Sequence, residues 1–264
     1  MLLSGKKGIV LGVANQRSIA WGISDSLLKH GAQIAFSIQT ERFGESLKKL
    51  LKENDHPECP IFELDVTNNE GIKEFVKDVE KEFGKIDFIV HAIAFANKED
   101  LEGEFCQIEK ENFMKSMEVS TFSFINICKA FENIINPGAS LIALTYLGAT
   151  QTVINYNMMG VSKAALEASI RYLAVDFGKK DIRVNAISAG PIQTLAARGI
   201  RGFSNLYKIH AKIAPTRKQT TIEHIGGTAT FLVSDLSAGI SSEVLFVDGG
   251  YHNVAVGGLD AYNL

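Results

Sequence analysis

The chain has 264 residues, of which 46% are hydrophobic and 22% charged, and its formal net charge is −3. This composition is typical of a folded globular protein, and the lack of a basic excess argues against nucleic acid as a partner. No apolar run approaches the roughly 18 residues of a membrane span, so we expect no membrane segment. The three cysteines form no CxxC pair and the six histidines no HExxH motif, which predicts a reducing, cytoplasmic setting and no metal site.

Short apolar segments alternate with longer amphipathic segments along the whole chain. The predicted strands are residues 7–13, 33–38, 61–66, 86–95, 140–145, 182–188 and 243–247. The predicted helices are residues 18–30, 45–53, 69–83, 110–133, 156–177 and 222–234, with short helices in the loop that runs to about 212. Strand–helix alternation predicts one doubly wound, Rossmann-type α/β domain over residues 1–264, with a parallel sheet of about seven strands. Ligands of such sheets bind at the carboxyl ends of the strands.

The loop after the first predicted strand has features of a phosphate-binding turn. Gly12 allows a tight turn, Ser18 can cap the next helix, and Gly22 would let that helix pack closely on the sheet. The N–H groups at the start of that helix could hold a pyrophosphate. Because the glycine spacing is longer than GxGxxG, an ordinary strand–turn–helix junction is an equally good interpretation.

Polar residues also follow the second and third predicted strands. Gln39 stands where an acid often binds a ribose 2′-hydroxyl, and it can hydrogen-bond a ribose or an adenine edge without charge. Asp65 could accept a hydrogen bond from the adenine amino group, or it could be a solvated residue at a strand end. No basic residue adjoins Gln39, although Arg42 is close, so the sequence predicts NADH in preference to NADPH.

A tyrosine and a lysine are spaced for one face of the helix after the fifth strand. Lys163 follows Tyr156 by seven residues, which is ~20° short of two helical turns and ~10 Å along the axis. A phenol can donate to an oxygen that becomes negative, and a lysine can hold ribose hydroxyls. Any long helix can carry such a pair, so it is the position after strand five that favours a catalytic role.

These residues belong to a longer set of motifs that extends from about residue 2 to 251. The set comprises residues 3–6 (LSGK), 12–23 (GVANQRSIAWGI), 146–149 (YLGA), 155–164 (NYNMMGVSKA), 183–196 (RVNAISAGPIQTLA), 231–240 (FLVSDLSAGI) and 247–250 (VDGG). With them the sequence resembles the short-chain dehydrogenase/reductase superfamily and, more closely, bacterial NADH-dependent enoyl-[acyl-carrier-protein] reductases. The Tyr-x6-Lys spacing is specific, because carbonyl-reducing relatives use Tyr-x3-Lys, which would put Gly160 in the place of the lysine.

The resemblance implies a role for each residue that matches a motif. Tyr156 and Lys163 would be catalytic, Tyr146 would be a second active-site tyrosine, and Ala96 would contact substrate. The residues that would bind NADH are Gly12, Ser18, Ile19, Gln39, Asp65, Val66, Ile93, Lys163, Ile192, Gln193, Thr194, Leu195 and Ala196. Residues at about 194–212 would cover the substrate.

The resemblance also implies a reaction and partners. Hydride from NADH would add to the β-carbon of a trans-2-enoyl thioester in fatty acid synthesis, and Tyr156 would donate a hydrogen bond to the enolate oxygen. The substrate would be carried by an acidic acyl carrier protein, which we expect to dock at Arg198, Arg201, Lys208 and Lys212, although a plain solvated face is an equally good interpretation of these charges. Relatives of this kind are usually homotetramers. Two alternatives stay open: a 3-ketoacyl thioester reductase of the same superfamily, and a non-enzymatic module that senses a dinucleotide.

Overall fold

The structure, a computed structural model, describes residues 1–255. The strands are β1 (Lys7–Leu11), β2 (Gln33–Ile38), β3 (Ile61–Glu63), β4 (Ile86–His91), β5 (Ile135–Thr145), β6 (Arg183–Ala189) and β7 (Val244–Val247). The helices are α1 (Ile19–Lys29), α2 (Glu41–Glu53), α3 (Asn69–Phe83), α4 (Lys110–Met117), α5 (Ser123–Phe131), α6 (Asn157–Gly178), α7 (Phe203–Ile213) and α8 (Ile222–Val233). The last residues of the predicted domain, 256–264, lie outside the described part.

All seven strands form one parallel sheet in the order β3-β2-β1-β4-β5-β6-β7, as the strand–helix alternation predicts. The strand order reverses between β1 and β4, and the crossovers cover both faces of the sheet with helices. One apolar core packs α3, α5 and α6 against the sheet, and a second packs α1, α2 and α8 against the other face. The residues of β1, β4, β5 and β6 are therefore mostly buried on both faces.

The helix predicted for residues 110–133 is interrupted. A π-helical turn, Glu118–Phe122, separates α4 from α5. Within this region the hydroxyl of Ser123 donates to the carbonyl oxygen of Val119 over 2.7 Å, a side-chain bond of the kind that competes with regular helical pairing. The apolar periodicity of the segment predicts its buried face correctly but carries no information about this local change in hydrogen bonding.

Gly22 allows a close contact, but between two helices and not between a helix and the sheet. A Cβ atom at Gly22 would lie 2.5 Å from the Cβ of Ile222, and one at Gly226 would lie 2.4 Å from the carbonyl oxygen of Gly22. The prediction that Gly22 packs α1 on the sheet is therefore wrong. The glycine brings α1 against α8, whose residues are about two hundred positions away in the sequence.

Candidate active site

The phosphate-loop glycine is required by both its conformation and its neighbours. Gly12 has φ +97°, and a Cβ atom there would lie 2.4 Å from the carbonyl oxygen of Ala92. The turn after β1 therefore passes directly over the exit of β4, where the N–H of Ala92 donates to the carbonyl oxygen of Leu11 over 3.1 Å. This contact places the loop at the point where the strand order reverses, which is where open parallel sheets bind ligands.

Ser18 precedes α1 as the sequence predicts, but its hydroxyl does not cap the helix. The Oγ atom accepts hydrogen bonds from the backbone N–H groups of Ala14 (3.2 Å) and Asn15 (2.9 Å), and it donates to the carbonyl oxygen of Asn15. The Ser18 side chain therefore stabilises the loop itself, because the turn is longer than a GxGxxG turn and places the backbone of Ala14 and Asn15 beside the hydroxyl. The first-turn N–H groups of α1 do not receive a side-chain cap from Ser18, which suits an anion-binding helix start.

A cavity of about 510 Å³ opens along the carboxyl ends of β1, β4, β5 and β6. The predicted site residues that line it are Gly12, Ser18, Ile19, Ile93, Ala96, Tyr146, Tyr156, Lys163, Ile192, Thr194, Leu195 and Ala196. Four predicted residues do not line it: Gln39, Asp65, Val66 and Gln193. Gln39 and Asp65 are exposed at the same edge of the sheet, beyond the cavity, and the Oδ1 atom of Asp65 accepts from the N–H and the hydroxyl of Thr67 (2.9 and 2.7 Å).

The two tyrosines and the lysine meet at the end of β5. The rings of Tyr146 and Tyr156 pack edge to face, with centroids 4.9 Å apart and planes at 67°. Lys163, which is 5% exposed, donates a hydrogen bond from Nζ to the carbonyl oxygen of Leu144 over 2.7 Å. The hydroxyl of Tyr146 is buried and has no hydrogen-bond partner within residues 1–255. An orphaned donor beside an open cavity is suited to a polar ligand.

Burial sets the protonation states of these groups. Burial raises the pKa of Tyr156 far above its usual value, and the neighbouring Tyr146 and the Glu167 carboxylate raise it further. The phenol therefore stays protonated, as a hydrogen-bond donor must. Burial lowers the pKa of Lys163 to about 8, and Glu167 opposes this shift. The hydroxyl of Thr145 donates to Oε1 of Glu167 over 2.7 Å, so the carboxylate one turn beyond Lys163 is also bonded to β5.

Two glycines fix the distance between α6 and the segment that carries Tyr146. A Cβ atom at Gly148 would lie 2.4 Å from the ring of Tyr156, and one at Gly160 would lie 2.8 Å from the carbonyl oxygen of Gly148. Gly160 is the position of the lysine in the Tyr-x3-Lys arrangement. No side chain fits there without a shift of the backbone, whereas Lys163, one turn further along the helix, lines the cavity.

The sequence interpretation missed much of the apolar wall of the cavity. Leu101, Val153, Met159, Ile200, Phe203 and Leu206 line it together with the predicted residues. Met159 was detectable, because it lies three residues after Tyr156 and thus on the same helical face. Leu101 ends a short 3-10 helix, Lys98–Leu101, and Val153 lies in an irregular segment, so the spacing of an α-helix or a strand predicts neither side chain's direction.

The segment at 194–212 forms one side of the cavity. It contains a short turn, Ala197–Gly199, and most of α7, and its apolar residues face the cavity. The side chain of Asn155 donates from Nδ2 to the carbonyl oxygen of Arg201 over 2.9 Å. His210 is buried, and its Nε2 atom lies 2.8 Å from the carbonyl oxygen of Asp248. The segment is therefore held near its middle and near its carboxyl-terminal end.

Residues 1–255 contain no group of three or more His, Cys, Asp or Glu side chains that could hold a metal ion. None of their helices is both long enough and apolar enough to cross a bilayer.

Comparison with known proteins identifies the family. The family model described as enoyl-(acyl carrier protein) reductase matches residues 12–252. A Rhizobium meliloti protein named enoyl-[acyl-carrier-protein] reductase [NADH] 1 is 46% identical over 263 residues, which is 98% of this chain and 95% of that protein. The Bacillus cereus enoyl-acyl carrier protein reductase, solved with NADP⁺ and an indole naphthyridinone, superposes with a TM-score of 0.94 at 43% identity, covering 97% of this chain and 99% of that one.

A third relative, the Anaplasma phagocytophilum enoyl-(acyl-carrier-protein) reductase solved in complex with NAD, superposes with a TM-score of 0.94 at 39% identity. The superposition covers 100% of this chain and 98% of the other. The protein belongs to the enoyl-(acyl-carrier-protein) reductase family.

Proposed function

We propose that this protein is an NADH-dependent enoyl-[acyl-carrier-protein] reductase that reduces trans-2-enoyl thioesters during fatty acid elongation. The observation that carries the proposal is the placement of two residues against one cavity: Tyr156, directly before α6, and Lys163, seven residues later on α6. Gly160, between them in the sequence, packs tightly against Gly148. NADH is the hydride donor of the family, and the hydride adds to the β-carbon of the enoyl thioester.

The residues at the sheet edge fit such a cofactor. Gly12 and Ser18 shape a loop whose following helix start suits a pyrophosphate, and the ammonium of Lys163 suits ribose hydroxyls. We assign Gln39, Asp65 and Val66, at the ends of β2 and β3, to the adenosine end of the same ligand. Ile19, Ile93, Ile192, Gln193, Thr194, Leu195 and Ala196 complete the proposed cofactor site.

Tyr156 is the residue that we assign to the reacting oxygen. Addition of hydride at the β-carbon places negative charge on the thioester oxygen, and a buried phenol with a raised pKa donates to such an oxygen without losing its proton. Tyr146 packs on the ring of Tyr156 and shapes the pocket around it. Ala96 packs in the same apolar cluster as Tyr156, which supports its assignment to substrate contact.

A 3-ketoacyl thioester reductase is the alternative within the superfamily. It would need a lysine at position 160, where even a Cβ atom would lie 2.8 Å from a backbone oxygen. The decisive experiment follows NADH oxidation by absorbance with crotonyl and acetoacetyl thioesters in parallel. Oxidation with crotonyl thioester alone supports the proposal, whereas oxidation with acetoacetyl thioester alone contradicts it.

The covering segment is the proposed docking site for the carrier protein. Arg198, Arg201 and Lys208 are exposed on it, in a chain whose net charge is −3. Exposed positive charge attracts an acidic partner and speeds association in a salt-dependent manner. Arg201 is less suited to a test, because its guanidinium lies 3.8 Å from Glu102.

Charge reversal tests this docking site. Arg198→Glu combined with Lys208→Glu should raise KM for a carrier-bound enoyl substrate and leave KM for the coenzyme A thioester unchanged. Lys179→Glu, at an exposed position after α6, is the matched control. An equal loss with both substrates would contradict docking at this segment.

Self-association and location complete the proposal. Tyr172 and Val175 are 77% and 65% exposed and lie three residues apart on α6, which suits a face covered by another copy of the chain. We therefore infer a homotetramer, and light scattering of the wild type and of Tyr172→Asp tests it. A wild-type mass of one chain would contradict it. We also infer that the protein acts in the cytoplasm.

A further inference from the structure

The backbone N–H and carbonyl oxygen of Phe95 are held by serine hydroxyls from α4 and the π-helical turn that follows it. Phe95 lies in the irregular segment after β4 and lines the cavity next to Ala96. Its N–H donates to Oγ of Ser120 over 2.9 Å, and the Ser120 hydroxyl donates to the carbonyl oxygen of Phe95, also over 2.9 Å. The hydroxyl of Ser116 donates to the same carbonyl over 2.9 Å. Two side chains thus satisfy the N–H and the carbonyl oxygen of a residue that lies outside the sheet.

The direction of each hydrogen bond follows from the number of protons. A serine hydroxyl has a single proton, and that of Ser116 is used on the carbonyl of Phe95. Because Oγ of Ser116 also lies 3.0 Å from Oγ of Ser162, Ser162 is the donor in that pair, in preference to its 3.8 Å contact with Sδ of Met117, since a thioether is a weak acceptor. Ser162 lies on α6 directly before Lys163, so this chain of hydrogen bonds connects α6 to the loop at the cavity.

The hydroxyls are placed where an unpaired polar atom would be costly. Ser116, Ser120 and Ser162 are each 0% exposed. Ser120 lies within the π-helical turn, and such turns are frequent at functional sites. A buried hydroxyl is unfavourable unless it is bonded, and alanine would fill nearly the same space. The presence of the three serines is therefore better explained by hydrogen bonding to the backbone of Phe95 than by packing.

We propose that Ser120, supported by Ser116, is a positioning residue that fixes the Phe95–Ala96 segment as the substrate-side wall of the cavity and thereby sets the affinity for the acyl thioester. The inference deepens the proposed function and rests on it, since an acyl thioester is the ligand concerned. Ala96 packs with Tyr156 and Met159 in one apolar cluster, so a shift of its backbone changes the space beside the phenol.

Steady-state kinetics test the effect on substrate. Ser120→Ala should raise KM for an enoyl thioester about tenfold, because the Phe95 N–H loses its hydrogen-bond acceptor while the carbonyl oxygen keeps Ser116. KM for NADH should change less than about twofold. Ser116→Ala should have a smaller effect, because Ser120 still bonds to both the N–H and the carbonyl oxygen of Phe95. Ser120→Thr keeps the hydroxyl and should restore KM. The control is Ser24→Ala, since Ser24 is also 0% exposed but bonds only to its own helix, at the carbonyl oxygen of Ala20.

A purely structural role would lower thermal stability in Ser120→Ala and leave both KM values unchanged, and that result would overturn the proposal. An equal rise in both KM values would overturn it too. If Ser120→Ala does not fold, Ser120→Cys nearly keeps the side-chain volume but replaces the hydroxyl with a much weaker hydrogen-bonding group. We again expect a raised KM for the enoyl thioester and a nearly unchanged KM for NADH.

Hydrogen exchange provides a second readout that does not depend on the reaction. In the wild type the Phe95 amide is protected by Ser120, so Ser120→Ala should speed its exchange at least about tenfold, whereas Ser24→Ala should not. Unchanged exchange would show that Ser120 does not hold the segment, whatever the enzyme reduces. Conversely, a wild type that fails to reduce enoyl thioesters but shows this protection would contradict the proposed function and leave the anchoring by Ser120 intact.

Discussion

The ammonium of Lys163 donates a hydrogen bond over 2.7 Å to the carbonyl oxygen of Leu144, two residues before Tyr146 on the chain. An ammonium has three donors, and this bond uses one of them. Because the side chain is 5% exposed, water competes poorly for the others. A pair of ribose hydroxyls facing the cavity would satisfy them, which is the basis of the assignment of Lys163 to the cofactor.

Removal of this lysine should therefore damage cofactor binding. We expect Lys163→Ala to weaken NADH affinity on the order of ten- to a hundredfold, the effect of losing hydrogen bonds from a charged donor. Turnover should fall as well. Fluorescence titration with NADH measures the affinity, and Lys179→Ala, at an exposed lysine, is the control. Unchanged NADH affinity in Lys163→Ala would refute the assignment to the ribose.

Tyr156→Phe should fail in a different way. The phenol is assigned to an oxygen whose charge develops only in the transition state, so kcat and kcat/KM should fall together, on the order of a hundredfold or less. NADH affinity should stay within about twofold of the wild type. Tyr146→Phe should cost less, because that ring shapes the pocket. If Tyr156→Phe loses NADH binding while Lys163→Ala keeps it, the two roles are reversed.

The burial of Lys163 also predicts how stability depends on pH. The folded-state pKa is about 8, below the ordinary value of 10.5, because burial disfavours the charged amine. Between these pH values the unfolded chain binds more protons than the folded one, so the free energy of unfolding should rise with pH. In the cofactor-free protein the rise attributable to Lys163 should be on the order of 3 kcal/mol, and Lys163→Met should lack it. Urea unfolding of the wild type and of Lys163→Met at pH 8 and pH 10.5 measures this change. An equal change in the free energy of unfolding in the two proteins would contradict the shift in the pKa of Lys163.

The sheet and the placement of Tyr156 and Lys163 at one cavity were predictable because each depends on local periodicity. Alternation of apolar and amphipathic segments predicts the parallel sheet, and seven residues of helix place Lys163 on the face of Tyr156. Both follow from regular backbone geometry, which holds whatever the distant neighbours are.

Contacts between distant segments were not predictable in this way. Gly22 packs against Ile222, which is distant in the sequence. Ser120, which bonds to the backbone of Phe95, lies in a π-helical turn that the apolar pattern does not predict. The hydroxyl of Ser18 bonds to its own loop because that loop is longer than in a GxGxxG turn. In each case the deciding contact is set by tertiary packing or by an irregular backbone, and residue spacing describes neither.

Cofactor preference is predicted by the residues after β2. Gln39 is exposed at the end of the strand, and no basic residue directly adjoins it to meet a 2′-phosphate. We expect kcat/KM for NADH to exceed that for NADPH. Arg42, exposed in the first turn of α2, is the one nearby cation in this stretch, so Arg42→Ala should reduce any residual NADPH activity and leave NADH activity unchanged. A kcat/KM for NADPH that equals that for NADH would contradict the prediction.

The contact between Gly160 and Gly148 should make Gly160→Ala one of the most damaging small changes outside the catalytic pair. The added Cβ would lie 2.8 Å from the carbonyl oxygen of Gly148, a backbone atom that cannot rotate away. The start of α6 must then move, and Tyr156 moves with it relative to Tyr146. We expect kcat to fall at least about tenfold, since small misplacements of reacting groups are costly, and the free energy of unfolding to fall by about 1–3 kcal/mol.

The matched control for Gly160→Ala lies at the other end of the same helix. Within residues 1–255, and apart from its chain neighbours and the backbone of its own helix, no atom lies within 4 Å of a Cβ placed at Gly178, so Gly178→Ala adds a methyl group in open space. Alanine favours helix by up to about 1 kcal/mol over glycine, so this variant should be as stable as the wild type or slightly more stable, with unchanged kcat. Thermal unfolding and steady-state kinetics of both variants separate the two cases. If Gly160→Ala kept wild-type kcat and stability, α6 would not be held against the Tyr146 segment, and the geometric case against a lysine at position 160 would be lost.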